Sequence, residues 1–288
     1  MFESIAFFGK IGEYTKVCRR FCADMKMDGE NITTVVSDFD GTLLREGMNN
    51  PSEKFYHVLD EMLEKQIDFV AASGRQYPSL RRMLSHVADK IGFIAENGAF
   101  IVWKGQVVHK CAIPSSVAAE LIEDMKQEPD TEILVSGTET AYVVPNNPEY
   151  TDALRKNHME VTVLEDFSQV PEEMVKISIV YLKGMNSEAK NFFKEKYEND
   201  LLIVESGNGW LDFMPKESGK GPALEILAQK AGFSLDHTVA FGDQENDISM
   251  LQVAKVSYAM NTACDYVKAA AGNTCDVVED VLSESFIV

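Results

Sequence analysis

The sequence predicts an α/β fold, in which a doubly wound parallel sheet is interrupted by an inserted α+β domain. Over residues 31–108 and again over residues 213–288, short apolar runs alternate with helical patterns, and a last strand is predicted at Asp276–Val278. This alternation is typical of a parallel sheet with helices on both faces. Residues 109–212 instead combine longer helical patterns with several strand-like runs. We therefore predict a core domain in two parts, 31–108 and 213–288, separated by an inserted domain at 109–212.

Residues 1–30 are predicted to form an N-terminal amphipathic helical extension. Their large apolar side chains recur at alternating spacings of four and three, at Phe7, Ile11, Tyr14, Cys18, Phe21 and Met25. This spacing places them on one face of a helix. The face is expected to pack against the core, while a dimer seam and a partner site are the other interpretations.

The first predicted strand of the core ends in two carboxylates. The β-branched run at 32–36 is followed by Asp38, Asp40 and the turn residue Gly41. Because strand side chains alternate, the two aspartates can point the same way. Such a pair can share a hard divalent cation or divide the roles of nucleophile and general acid/base. An ordinary Asp-rich turn is the third interpretation.

Two further segments place polar groups next to predicted helix N-termini. A mostly apolar strand-like run at 67–72 ends in Ser73, Gly74 and Arg75, and a helical pattern follows. Lys220 precedes a helical pattern that has Pro222 in its first turn. The N-terminus of a helix is a natural site for an anion. These segments therefore suit a phosphate or a carboxylate.

A fourth segment repeats the pattern with acidic residues. The apolar run at 238–241 ends in Gly242 and Asp243, and a helix is predicted to start near Asp247. In parallel sheets, ligands bind beyond the carboxyl ends of the strands. We therefore expect Asp38, Ser73 and Asp243 to lie close together at one edge of the sheet.

These motifs, in this order, resemble the haloacid dehalogenase-like hydrolases, specifically the Cof-type sugar phosphatases with a class IIB cap. The resemblance excludes the first thirty residues and the middle of the chain. It rests on Asp38–Leu44, Ser73–Arg75, Glu96–Ala99, Lys220-Gly221, Gly242–Asp247, Met250-Leu251 and Ala259–Asn261.

The resemblance implies a Rossmann-like core with residues 109–212 as its cap, and a Mg²⁺-dependent phosphatase that acts on a small phosphorylated metabolite. It implies that Asp38 is the nucleophile that forms an aspartyl-phosphate, that Asp40 is the general acid/base, and that Lys220 offsets the negative charge. Further residues implied are Thr42, Ser73 and Gly74 for the phosphoryl group, Arg75 and Asn97 for the substrate, Asp38, Asp243 and the Asp40 backbone carbonyl for Mg²⁺, and Asn246 and Asp247 to orient Lys220 or the metal waters.

Several of these residues have a second interpretation. A turn-stabilising role suits Thr42 and Asn97, and a surface ion pair suits Arg75. Two other functions also stay open: a phosphomutase that uses the same nucleophile, and a non-catalytic protein that binds a phosphorylated metabolite. A mutase needs cations in the cap for a second phosphate, and Arg155 is the only arginine between residues 109 and 212.

Composition limits the partners and the compartment. The chain has 288 residues, with 27 basic against 46 acidic ones and a formal net charge of −19. This charge argues against nucleic acid and anionic membranes as partners. The 5 cysteines are odd in number and form no CxxC pair, and the start of the chain lacks a signal-peptide pattern, so we expect a cytoplasmic protein with reduced thiols. The sequence names neither the substrate nor the oligomeric state.

Overall fold

A computed structural model of the chain describes residues 25–27, 30–157, 159–206 and 209–285. Most of the predicted N-terminal helix, residues 1–24, therefore lies outside the described residues. The predicted helix is wrong at its C-terminal end, because Lys26–Met27 is a short strand that pairs antiparallel with Glu30–Asn31. Met25 and Met27 are buried in the main core.

The described parts of the chain contain sixteen strands and nine α-helices. The strands are β1 (Lys26–Met27), β2 (Glu30–Asn31), β3 (Thr34–Asp38), β4 (Asp68–Ala72), β5 (Gly92–Ala95), β6 (Phe100–Trp103), β7 (Gln106–Lys110), β8 (Thr131–Ser136), β9 (Ala141–Val143), β10 (Val161–Val163), β11 (Lys176–Tyr181), β12 (Leu201–Ser206), β13 (Trp210–Pro215), β14 (Thr238–Gly242), β15 (Val256–Met260) and β16 (Asn273–Cys275). The α-helices are α1 (Glu53–Glu64), α2 (Tyr77–Met83), α3 (Ser115–Met125), α4 (Pro148–Lys156), α5 (Ser187–Tyr197), α6 (Lys220–Ala231), α7 (Ile248–Val253), α8 (Asp265–Lys268) and α9 (Val278–Glu284).

The larger sheet has eight strands in the order β16-β15-β14-β3-β4-β5-β6-β7. Pairing is parallel from β16 to β5, and β6 and β7 then run antiparallel at the edge. Successive residues of the central strands face opposite layers of helices. Val35 packs in the core on the side of α1, α2 and α9, whereas Val36 packs on the side of α6, α7 and α8. This confirms the predicted α/β fold with a doubly wound, largely parallel sheet.

The smaller sheet has six strands in the order β10-β9-β8-β11-β13-β12. Helices α3 and α5 contribute to the apolar cluster on one of its faces, and α4 contributes to the cluster on the other. Its strands are contributed by residues 131–215, between the two stretches of chain that form the larger sheet. The boundaries of the inserted domain at 109 and 212 remain a prediction, and β13 continues three residues beyond the second of them.

The strand predicted at Asp276–Val278 is wrong in position. The last strand is β16, whose residues 273–275 pair with 258–260 of β15. Val278 instead begins α9, where Val278 and Leu282 are buried at helical spacing and Glu279 and Asp280 occupy the first turn. Acidic residues in a first turn stabilise a helix N-terminus, which favours a helix over a strand here.

The parallel strands bring the predicted site residues together at the carboxyl ends of the central strands of the larger sheet. Asp38 is the last residue of β3, Ser73 follows β4, and Asp243 follows β14. β3 lies between β4 and β14. This is the point where the chain turns in opposite directions to build the two halves of the sheet, and where such folds bind ligands.

Among the residues that the structure describes, no helix combines the length and apolar character that a transmembrane span requires.

Phe69 is expected to be a main stabilising residue of the larger sheet. Its side chain is 0 % exposed and its ring lies 5.6 Å from that of Phe55. Phe69→Ala should lower the free energy of unfolding by about 3–5 kcal/mol, because it leaves a cavity that the core cannot fill. Val107→Ala is the control: Val107 is 62 % exposed on the edge strand β7, and the change should stay within about 0.5 kcal/mol. Urea denaturation of both variants checks this, and equal losses would contradict the described core.

Candidate active site

A buried triad of charges lies at the carboxyl end of the central strands. Lys220 Nζ lies 2.5 Å from Asp38 Oδ1 and 2.6 Å from Asp247 Oδ1. Burial lowers the pKa of Lys220, but the two carboxylates raise it more, so the pKa is above its ordinary value and the ammonium stays charged. Burial, together with Asp247 and Asp243, raises the pKa of Asp38 well above its ordinary value despite the contact with Lys220. Lys220 therefore compensates only part of the cost of a negative charge on Asp38.

Glycines around Lys220 allow its helix to approach the site. Lys220 is the first residue of α6 and follows Gly219, whose φ of +145° is rarely accessible to other residues. Gly221 packs against α7, where its N–H donates to Ser249 Oγ at 3.1 Å. A Cβ on Gly221 would overlap the backbone of Ser249. The small residue therefore lets α6 and α7 pack closely and directs Lys220 towards β3.

Asp247 holds the loop after β14 in place. One of its oxygens accepts from Lys220, and Oδ2 accepts from the backbone N–H groups of Asp243 and Gln244 at 2.9 and 3.0 Å. Its side chain is 0 % exposed. Both oxygens of this buried carboxylate are thus engaged, one of them by Lys220, and the role of Asp247 in orienting Lys220 or the metal waters stays a prediction.

Three carboxylates form a cluster that fits a divalent cation. Asp38, Asp243 and Asp247 each offer one oxygen, and these atoms all lie within 4.8 Å of one another. Asp38 Oδ2 is buried and accepts a hydrogen bond from none of the residues that the structure describes. Hard carboxylate oxygens are the ligands that Mg²⁺ prefers. Since Asp247 is already engaged, Asp38 and Asp243 are the more available ligands.

The turn after Asp40 contacts Asp243. Thr42 Oγ1 donates to Asp243 Oδ1 at 3.1 Å. Gly41 has a φ of +89°, and a Cβ there would overlap the Asp243 carboxylate. Burial and Asp247 raise the pKa of Asp243, while the Thr42 hydroxyl opposes that rise. The structure thus places Thr42, predicted to bind the phosphoryl group, against a candidate metal ligand.

Ser73 and Gly74 form a tight turn after β4. The Ser73 side chain is 1 % exposed, and its Oγ accepts the Arg75 backbone N–H at 3.1 Å. Gly74 lies against Asn97, since a Cβ at Gly74 would stand 3.1 Å from the Asn97 amide. The N–H groups of Ser73 and Arg75 are used within the protein, so the turn presents the Ser73 hydroxyl and the Gly74 N–H next to Asp38, with which Ala72 pairs across the sheet.

Arg75 binds the predicted general acid/base. Its Nε and Nη2 donate to the two oxygens of Asp40 at 2.7 and 2.6 Å, a bidentate geometry that fixes the carboxylate's orientation. The side chains of Arg75 and Asp40 are 27 % and 48 % exposed, so the pair lies at the accessible side of the site. Arg75 thus forms an ion pair in this structure, and its contact with the substrate stays a prediction.

The turn Glu96-Asn97-Gly98 follows β5 and contacts the same site. Asn97 is buried, and its Oδ1 accepts from Asn246 Nδ2 at 2.9 Å. Asn246, predicted to orient Lys220 or metal waters, is therefore bonded to Asn97. Asn97 itself, predicted to contact the substrate, supports the turn at Gly74.

Two buried charged residues of this region had no role in the sequence analysis. Lys176, the first residue of β11, has its Nζ 2.6 Å from Glu96 Oε2. Lys176 opens the run Lys-Ile-Ser-Ile-Val-Tyr, which is otherwise typical of a buried strand. A lysine in an otherwise apolar strand could have predicted a buried ion pair, since lysine is almost never fully buried without a partner.

Comparison with known proteins gives one family and several relatives. A family model described as haloacid dehalogenase-like hydrolase matches residues 35–281. The 5-amino-6-(5-phospho-D-ribitylamino)uracil phosphatase YbjI of Escherichia coli is 28 % identical over 245 residues, which are 84 % of this chain and 89 % of that protein. The structure of SMU.1108c from Streptococcus mutans is 29 % identical with a TM-score of 0.76, covering 88 % of this chain and 98 % of that one. The HAD subclass IIB sugar phosphatase BT4131, 22 % identical with a TM-score of 0.74 over 88 % and 98 % of the chains, shares the fold.

Removal of the Lys220 charge is expected to destabilise the protein strongly. Lys220→Met leaves Asp38 and Asp247 buried without their cation, and breaking a buried pair in this way costs about 3–5 kcal/mol. Lys54→Met is the matched control: Lys54 contacts Asp280 at 2.6 Å, but both side chains are more than half exposed, so the loss should be about 1 kcal/mol or less. Chemical denaturation without divalent cations measures both. Equal losses would mean that the triad contributes no more than a surface ion pair.

Proposed function

The chain belongs to the family of haloacid dehalogenase-like hydrolases and is a phosphatase, and we propose that it acts on a small phosphorylated metabolite with Asp38 as its nucleophile. The observation that carries the proposal is the environment of Asp38. One of its oxygens contacts Lys220 at 2.5 Å, and the other is buried without a donor among the described residues. A carboxylate with one oxygen held and the other uncommitted suits attack on phosphorus beside a bound cation.

We assign Asp38, Asp243 and the backbone carbonyl of Asp40 as the groups that would hold Mg²⁺. The fit rests on the cluster of carboxylate oxygens and on the unpartnered Asp38 Oδ2. When bound, the cation supplies positive charge that offsets the repulsion between the carboxylates and the phosphate. Thr42 holds Asp243 in place through its hydroxyl.

The residues of the chain then act in two half-reactions. In the first, a bond forms between Asp38 and phosphorus while the bond from phosphorus to the leaving oxygen breaks, and Asp40 gives that oxygen a proton. In the second, Asp40 takes a proton from a water that attacks the phosphorus, and free phosphate leaves Asp38 regenerated. Arg75 orients Asp40, and Lys220 stays between Asp38 and Asp247 throughout.

The turn at Ser73 and Gly74 is assigned to the transferring phosphoryl group. The Ser73 hydroxyl and the Gly74 N–H provide donors without adding negative charge to a site already rich in carboxylates. Donors held in place before the reaction cost no reorganisation when charge develops on the phosphoryl oxygens. A mutase needs cations in the inserted domain to hold the distal phosphate of its substrate. Arg155, the only arginine between residues 109 and 212, lies exposed on α4 beside Asp152, which favours water as the acceptor.

Phosphate release from an aryl phosphate tests the proposal. With Mg²⁺ present, Asp38→Asn should lower kcat at least about 1,000-fold, because the covalent route needs the carboxylate. Asp236→Asn is the control, since Asp236 is exposed in the turn that precedes β14, at the opposite edge of the sheet. Full activity in a folded Asp38→Asn protein would overturn the assignment. An aryl phosphate has no second hydroxyl to accept the phosphoryl group, so the mutase alternative needs a sugar phosphate as substrate. Isomerised sugar phosphate without free phosphate would identify a mutase, and binding without turnover would identify a sensor.

The close approach of Gly41 to Asp243 gives a separate test of the metal site. Gly41 and Gly47 have φ values of +89° and +82°, but a Cβ on Gly47 would meet no described heavy atom within 4 Å. Both alanine variants should lose about 1 kcal/mol from the left-handed conformation. Mg²⁺ at a hundred times its Kd should then stabilise the wild type and Gly47→Ala by about 2.7 kcal/mol. Gly41→Ala should lose this gain because its methyl group displaces Asp243.

Thermal unfolding with and without Mg²⁺ measures this difference. An equal gain in both variants would mean that Asp243 is not a ligand.

A further inference from the structure

A lysine of the smaller sheet reaches into the larger one beside the candidate site. Lys176 Nζ donates to the Gly74 carbonyl oxygen at 2.8 Å and lies 2.6 Å from Glu96 Oε2. The side chains of Lys176 and Glu96 are 7 % and 2 % exposed. Gly74 is the middle residue of the turn assigned to the phosphoryl group, so this contact joins the inserted domain to that turn directly.

A buried ion pair at this position needs a reason beyond stability. Taking both charges out of water costs about as much as their attraction returns, and apolar residues would hold two packed surfaces together equally well. The pair differs from apolar packing in its geometry. An ammonium that meets both a carbonyl and a carboxylate fixes their positions relative to each other, whereas apolar surfaces can slide.

The backbone of the Glu96 turn supports the same view. Glu96, Asn97 and Gly98 have φ values of +50°, +52° and +99° in succession. Two consecutive non-glycine residues in this region are sterically costly, and such conformations persist where the surroundings hold them. The contact with Lys176 is one of the interactions that hold Glu96.

The Glu96 turn contacts the other segments of the site. The N–H groups of Glu96 and Asn97 donate to the carbonyls of Arg75 and Ser73, each at 3.0 Å. The Asn97 side chain accepts from Asn246, in the loop that carries Asp243. Gly98 packs so closely on the residue before Lys220 that a Cβ would overlap the carbonyl there. A shift of this turn would therefore move the phosphoryl, metal and lysine segments together.

We propose that Lys176 is a positioning residue, which closes the inserted domain onto the core and, through Glu96, fixes the Ser73–Arg75 turn for phosphoryl transfer. The proposal rests on the phosphatase function for its kinetic consequences. Lys176 acts through Gly74 and Glu96 and is assigned no contact with the reacting atoms.

Kinetics of Lys176→Met, Glu96→Gln and the double variant test the proposal. Because a displacement of about 1 Å in a positioning group can cost 100-fold, Lys176→Met should lower kcat/KM by about 10- to 100-fold. The double variant should be little worse than Lys176→Met, since the contact that Glu96→Gln weakens is already absent there. Inhibition by orthovanadate, which mimics the phosphoryl group and carries no leaving group, should weaken in parallel. Unchanged vanadate inhibition with reduced turnover would mean that Lys176 touches the leaving group, which would overturn the proposal.

Lys183→Met is the matched control. Lys183 follows the other end of β11, pairs with Asp130 at 2.7 Å and is 76 % exposed. The Lys183→Met substitution should leave kcat/KM and vanadate inhibition unchanged. Equal effects of Lys176→Met and Lys183→Met would overturn the proposal.

Amide hydrogen exchange provides a readout that needs no turnover. Lys176→Met should speed exchange at the N–H groups of Glu96 and Asn97, while Lys183→Met leaves them protected. Glu96→Gln, which keeps the shape of the side chain, supplies the same measurement if Lys176→Met does not fold. Faster exchange throughout the protein, or no local change in a folded variant, would overturn the proposal. If the wild type releases no phosphate, the phosphatase assignment fails, and exchange still decides whether Lys176 holds the turn.

Discussion

An excess of buried negative charge is the constraint on which the site depends. Asp38, Asp243 and Asp247 converge around the Lys220 ammonium, and burial raises the pKa values of Asp38 and Asp243. The backbone donors to Asp247 and the Thr42 hydroxyl on Asp243 relieve part of that charge. The remainder makes the site attractive to a divalent cation. In a chain with a net charge of −19, an anionic substrate is therefore recruited by local groups rather than by the field of the whole protein.

The fold meets this constraint by making the surroundings of the carboxylates rigid. β3 and β14 are buried along their whole length, so the segments that carry Asp38 and Asp243 leave the sheet from fixed positions. Close approaches that only glycine permits, at Gly41 and Gly221, bring the neighbouring segments within reach. Tight packing of this kind resists small displacements, which keeps like charges near each other without relaxation.

The sequence predicted the parts of the site that lie within a few residues of a strand or helix end. Asp38, Ser73, Lys220 and Asp243 fall there because strand endings have local signals: an apolar run, then a turn residue. Partners distant in sequence had no such signal. The pairing of Arg75 with Asp40 and of Lys176 with Glu96 depends on how the layers pack, and neither hydrophobic periodicity nor propensity encodes it. The last strand was misplaced because a short β-branched run satisfies both strand and helix patterns.

The Lys176–Glu96 contact also bears on how such a protein can diverge. The chain passes from the larger sheet to the smaller one after β7 and returns before α6, where Cys111 Sγ and Ser218 Oγ lie 3.5 Å apart, so the two connections run side by side. Such an insertion point allows one module to be exchanged for another with little change to the core. Glu96 restricts that freedom, because a replacement module without a cation at this place would leave a carboxylate buried and unpaired. A module that replaces the present one at this junction therefore needs a lysine or arginine that pairs with Glu96.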